Sequence, residues 1–184
     1  MGRGEGAETM RRVATILMML IPVSVSAASL PANQQLALKL MKDRGDDAAS
    51  RDAATVLVQT SAVGFASGAP LRDVPVNAKA LKKAVKAETK AAKPRFVDAT
   101  VQAYVSTFSQ DELARLTSYY KKSAKKRGKM DPALNAKFRQ VAEQRAANMA
   151  PLRSALPGNL FKAYCTRATC NDAVNTAIAA FGNG

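Results

Sequence analysis

Two Ser-x-x-Lys quartets, Ser118-Tyr-Tyr-Lys121 and Ser123-Ala-Lys-Lys126, are the sharpest catalytic candidates in the chain. At i, i+3 on a helix a lysine amine can approach a serine hydroxyl, the arrangement used by serine acyl-enzymes of the penicillin-binding kind. The companion Ser-Asp-Asn and Lys-Thr-Gly motifs are absent. A lysine must also be desolvated to act as a base, and these lysines sit among six basic residues. The acyl-enzyme reading is therefore a remote alternative. The chain has no histidine, which removes Ser-His-Asp and Cys-His catalysis, imidazole metal sites and histidine proton shuttles. Two cysteines cannot build a four-thiolate zinc site. We assign no catalytic residue, no metal and no cofactor.

Cys165 and Cys170 are the only thiols, with four residues between them. The spacing is not C-x-x-C, so a thioredoxin-type redox pair is not indicated. A Cys165–Cys170 bridge closing a C-terminal loop is expected, stabilising by about 2–3 kcal/mol if loop entropy is the mechanism. Asp46-Asp47 and Asp111-Glu112 are adjacent carboxylates. Immediate neighbours on a helix do not face each other, so neither pair suits acid–base work. Asp111 and Glu112 are better placed to stabilise a helix N-terminus. No alternating-oxygen calcium loop and no glycine-rich phosphate loop occurs. Tyr119-Tyr120 could stack on a sugar or base, although a tyrosine on a helical stripe more often belongs to the core.

Charge is the strongest functional feature. Lys plus Arg number 28 against 14 Asp plus Glu. Lys79, Lys82, Lys83, Lys86, Lys90, Lys93 and Arg95 share one segment with a single acid, Glu88. Lys82, Lys86, Lys90 and Lys93 recur at helical spacing, opposite an apolar stripe. A second cluster holds Lys121, Lys122, Lys125, Lys126, Arg127 and Lys129, with no acid before Asp131. The bland reading is a solvated face; the functional one is an anion-binding surface using Lys82, Lys83, Lys86, Lys90, Lys121, Lys122, Lys125, Lys126 and Arg127. Lysine outnumbers arginine in both clusters, which favours diffuse attraction over bidentate recognition.

The elements that must position these residues read as helices. Residues 1–27 look like a secretory signal peptide: Arg11-Arg12, an apolar run from Val13 to Val25, and a small-residue exit allowing cleavage after Ala27 or Ala28. Met10 is an alternative start. The apolar run is too short to span a bilayer, and no cysteine near the cleavage point could carry a lipid. The cleaved chain, 28–184, keeps 25 basic against 12 acidic side chains.

Apolar spacing predicts a helix over 34–44, and another over 50–65 whose stripe is Ala53, Val56, Thr60 and Val63. A breaker-rich joint runs from Gly64 to Pro70. Val76, Ala80, Leu81, Ala84 and Val85 mark a helix to residue 92, and Pro94 starts the next, with Phe96, Val97, Val101, Tyr104, Val105 and Phe108 on its inner face. Ser109 to Glu112 is a capping box, followed by Leu113, Leu116 and Tyr120. Asp131-Pro132 opens a helix through Leu134, Phe138, Val141 and Met149 that stops before Pro151. Arg145 falls on that stripe, so its stem should lie along it with the head in water. Asn171 caps a last helix with Val174, Ala177, Ile178 and Phe181. The fold class is all-α, a single-domain bundle of about five to seven helices with a disulfide-closed C-terminal loop.

The order of a helix ending in Phe108, the cap Ser109 to Leu116, the pair Tyr119-Tyr120, a short linker and another helix resembles an exported bacterial family, domain of unknown function 2059. The resemblance covers roughly residues 75–152. It implies a small helical bundle in Gram-negative envelopes and brings no catalytic residues. Where that family has a small residue, proline and glycine after the aromatic pair, this chain has Lys122, Ser123 and Lys125.

The expected protein is therefore non-catalytic, exported to the periplasm and free of a lipid or transmembrane anchor. It should meet anionic envelope components or acidic polymers through its basic face. Export, not charge, disfavours nucleic acid. A protein-interaction or assembly module, with a protein partner or a homo-oligomer on an apolar helix face, is the alternative.

Overall fold

A computed structural model describes residues 30–67 and 76–170, together with 172 and 176. Among the described residues there are five α-helices: α1 (Ala32–Arg44), α2 (Asp46–Ser67), α3 (Ala78–Thr107), α4 (Gln110–Lys121) and α5 (Pro132–Cys165). A 3-10 turn, Ala124–Lys126, lies between α4 and α5. No strand occurs among these residues, so the all-α expectation holds. The signal-like segment 1–27 and the end of the joint, from Gly68, lie outside the described residues. So does the last helix, apart from Asp172 and Thr176, both helical.

α3 and α5 form the long axis of the bundle; α2 packs against both, and α1 against α2, α3 and α4. At 30 residues, α3 is about 45 Å long, enough to carry three successive groups of core side chains. Ala80 and Ala84 meet Ala62, Phe65, Phe161 and Tyr164 near its start. Ala92, Phe96 and Ala99 meet Ala54, Val58, Met149 and Leu156 at its middle. Val97, Val101, Tyr104 and Phe108 meet α1, α4 and the start of α5 at its end.

The helix boundaries differ from those expected. Pro94 does not start a helix, and Pro151 does not end one: α3 runs through Pro94, and α5 through Pro151 and Pro157. A proline removes one helical hydrogen bond and crowds the preceding turn, at about 3 kcal/mol. Here buried residues flank each break on one continuous face, Ala92 and Phe96 in α3, Met149 and Leu156 in α5. Their burial against shared partners offsets the local penalty. Likewise α2 continues past Gly64 to Ser67.

The buried face of α2 also differs from the expected stripe Ala53, Val56, Thr60 and Val63. Ser50, Ala54, Val58, Ala62 and Phe65 are buried, whereas Val56 and Val63 are 58% and 67% exposed. Apolar residues surround much of α2, so periodicity alone was ambiguous; the large Phe65 ring, seated edge-on against Phe161 and Tyr164, favours the observed face.

The expected caps are present. Ser109 and Glu112 make both bonds of the capping box, Glu112 N–H donating to Ser109 Oγ at 3.2 Å and Ser109 N–H to Glu112 Oε2 at 2.9 Å. Asp131 accepts from Ala133 N–H at 2.9 Å, with Pro132 in the first turn of α5. Cys165 and Cys170 are bonded, tying the chain after α5 back onto its last turn.

α1 and α2 are joined by one residue, Gly45, at φ 85°. Its N–H donates to Lys42 C=O and its own C=O accepts from Ala49 N–H, so it ends one helix and begins the next. That left-handed conformation costs a residue with a Cβ about 1–2 kcal/mol. A Cβ built there meets nothing within 4 Å. Gly45→Ala should therefore lose about 1 kcal/mol in urea unfolding for conformational reasons alone; an unchanged midpoint would mean the turn relaxes at no cost.

Candidate anion-binding groove

The lysines of α3 divide between two faces. Lys82, Lys86, Lys90 and Lys93 line a groove of about 640 Å³ whose opposite wall is Arg51, Thr55 and Gln59 of α2. Val85, Thr89 and Pro94 complete it, so the floor is mostly carbon beneath a rim of ammonium groups. Lys79 and Lys83 instead face a smaller hollow of about 250 Å³ with Asn77, Ala80 and Arg167. The steps from 82 to 86 to 90 advance little around a helix, whereas position 83 is turned about 100° away.

No acidic side chain lines the groove. Among the described residues none of its four lysines takes part in an ion pair. Arg51 is already engaged, with Nε and one terminal nitrogen on the Asp47 carboxylate at 3.0 and 3.1 Å. Glu88, the only acid in the lysine segment, is buried elsewhere; Arg95 Nη1 lies 3.7 Å from its Oε1, and the Asn159 side chain hydrogen-bonds it. The single acid among the lysines in sequence is thus turned into the protein, and no carboxylate in the lining offsets the four ammonium groups.

Burial pushes the Glu88 carboxyl above its ordinary value near 4.5, against the opposing pull of Arg95 and Asn159. Its Oε1 accepts no hydrogen bond. A native carboxyl that holds its proton more tightly than the unfolded chain makes stability fall as pH rises from about 4.5 through the raised value. Glu88→Gln should raise the unfolding free energy at pH 7 by about 1 kcal/mol, the scale of an incompletely paired buried charge. Melting curves at pH 7 and pH 4 test this. The gain should vanish at pH 4, where both side chains are neutral; an equal gain at both pH values would rule out ionisation as the cause.

The second basic cluster is not brought to this groove. Lys121, Lys122, Lys125 and Lys126 are exposed on the end of α4 and the following turn. Arg127 is committed internally. It donates to Lys122 C=O at 2.9 Å and Tyr120 C=O at 2.8 Å, and its guanidinium lies 4.9 Å from the Tyr120 ring centre. It therefore caps α4, which the sequence did not disclose, since any of six neighbouring cations could have met those carbonyls. Ser118, Lys121, Ser123 and Lys126 are all exposed, so neither Ser-x-x-Lys pair has the dry surroundings an amine base requires.

A polar cluster that no local sequence pattern marks lies beneath the α1–α2 turn. Asp46 accepts from Arg44 Nε at 3.0 Å and from the Tyr104 hydroxyl. Arg44 also donates to the Tyr120 hydroxyl at 2.6 Å and lies 4.0 Å from the Phe138 ring centre. Beside it, the Ser50 and Thr100 hydroxyls are bonded at 3.0 Å. Burial, and then the bond to Asp46, push the Tyr104 hydroxyl pKa upward, so it stays a protonated donor. Both neighbours donate to the same Asp46 oxygen, Oδ2. The cluster fixes α1, α3, α4 and α5 around the turn. Gly45 between Arg44 and Asp46 marks only the turn; the aromatic partners lie far along the chain. Tyr119, by contrast, donates to Gly128 C=O at 2.9 Å, and both tyrosines of the pair are half-buried.

Comparison with protein-family models, curated proteins and solved structures returns no match.

Proposed function

We infer that this is a non-catalytic, exported helical protein that holds anionic envelope components in the basic groove between α2 and α3. The observation that carries the reading is the alignment of Lys82, Lys86, Lys90 and Lys93 along one wall, with no acid in the lining. Lysine heads over an apolar floor suit phosphate- or carboxylate-bearing surfaces better than base-specific contacts. The signal-like N-terminus and the resemblance to domain of unknown function 2059 support an envelope location. The Cys165–Cys170 disulfide is compatible with an oxidising compartment. Among the described residues no helix is long and apolar enough to cross a membrane.

The test is co-sedimentation with vesicles containing anionic lipid, at low and high salt. Retention at low salt that falls steeply with ionic strength is expected; no salt-sensitive retention overturns the reading. The second reading, an assembly module, is favoured by Val56 and Val63, exposed together on α2. It predicts self-association or a partner contact that persists in high salt, and a monomer at every concentration would count against it. The intact mass from an osmotic-shock fraction checks export, through loss of 27 or 28 residues.

A further inference from the structure

We propose that the α2–α3 groove binds one single-chain anionic amphiphile, its acyl chain along the floor and its phosphate or carboxylate head on the lysine rim. This rests on the reading of the groove as the anion site and specifies what fills it. A solvated basic face needs only charge, and this one has a floor as well. Val85 and Pro94, the methyl groups of Thr55 and Thr89, and the stems of the lysines supply apolar surface beneath the ammonium groups. The volume of about 640 Å³ lies within the range of small-molecule sites, roughly 300–1,000 Å³.

The length also fits. From Lys82 to Pro94 the helix rises about 18 Å, slightly more than half of the roughly 30 Å hydrocarbon thickness that two leaflets of acyl chains fill. The lysine row is therefore comparable in length with one acyl chain. Pro94 is part of the lining at the end of the lysine row, where its exposed ring adds carbon surface. The ligand head needs no arginine fork. Several rotatable ammonium groups, on stems that also cover the chain, recognise a phosphate or carboxylate as a point charge. An acidic polymer would use the rim and leave the floor wet, and so fits this groove less well.

The experiment titrates the exported, disulfide-intact protein, with its N-terminus verified by intact mass, by calorimetry with three probes, each below its micelle concentration: lysophosphatidic acid, lysophosphatidylcholine and glycerol 3-phosphate. Saturable one-site binding is expected for lysophosphatidic acid, at least tenfold tighter than for the zwitterionic lipid or the bare head. Thr89→Trp, and independently Thr55→Trp on the facing wall, should fill the floor and abolish that binding while salt-sensitive vesicle retention persists. Helical circular dichroism identifies which variants are folded. Equal binding of the zwitterionic lipid, equal binding of glycerol 3-phosphate, or an unchanged titration in a folded tryptophan variant overturns the proposal. Vesicle retention without saturable lysophosphatidic acid binding defeats only the acyl-chain assignment. Loss of vesicle retention in the unaltered protein defeats the groove reading itself.

Discussion

Phe96→Ala is expected to lower the unfolding free energy by about 3–5 kcal/mol, the usual cost of deleting a fully buried aromatic ring. Phe96 is 1% exposed and belongs to the middle core group, with Ala54 and Val58 from α2 and Met149 and Leu156 from α5. Three of the ring's neighbours there, Ala54, Ala92 and Ala99, are too small to move into the space it leaves. Pro94 sharpens the effect. Two residues before Phe96 the helix lacks one of its hydrogen bonds, so its continuity there depends on side-chain packing. A domain of this size is stable by only about 5–15 kcal/mol, so the variant should lose a large part of its urea midpoint with little change in slope. A loss below about 1 kcal/mol would mean that the helices close over the cavity and that the middle group is not the support of α3 at Pro94.

The second large effect concerns binding. Lys86→Glu with Lys90→Glu should weaken retention on anionic vesicles by about 30-fold or more, since each lysine near such a surface contributes about 1 kcal/mol and the replacements add repulsion. Both side chains are exposed, so stability should change by less than about 0.5 kcal/mol per site. The informative control is Lys125→Glu with Lys126→Glu, which changes net charge equally but lies on the turn after α4. Equal losses from the two double variants would indicate attraction to the whole charged molecule and overturn the groove as the seat of binding. A loss confined to the α3 variant would locate it there.

The contrast between these variants reflects what was legible in the chain. Steps of three and four in Lys82, Lys86, Lys90 and Lys93 fixed a shared helix face, because helical geometry alone sets which side chains lie together. The same rule separates Lys83, but it does not say which rows meet a neighbouring helix. That depends on α2, whose apolar pattern admits more than one inner face. With alanine and valine around most of its circumference, the stripe Ala53, Val56, Thr60 and Val63 looked as good as the one actually buried. Only Phe65 and its aromatic neighbours separated them, and those neighbours lie on α5, about a hundred residues later in sequence. The prolines failed for a related reason: Pro94 and Pro151 carry a local penalty, while the packing that offsets it is long-range.

The all-α class, the capping box at Ser109, the start of α5 at Asp131-Pro132 and the Cys165–Cys170 pairing are all legible in the order of residues. Each depends on interactions spanning a few residues, whose geometry follows from helical periodicity, side-chain capping chemistry or short loop closure. The basic excess is composition. Only long-range packing withdraws Glu88 from the lysine row, brings Arg127 onto the end of α4, and closes Arg44 and Asp46 on Tyr104 and Tyr120. It likewise sets α2 beside α3 to make a wall for the groove. Those outcomes require residues tens of positions apart to become neighbours, and burial then decides which charges are paired inside and which remain facing water.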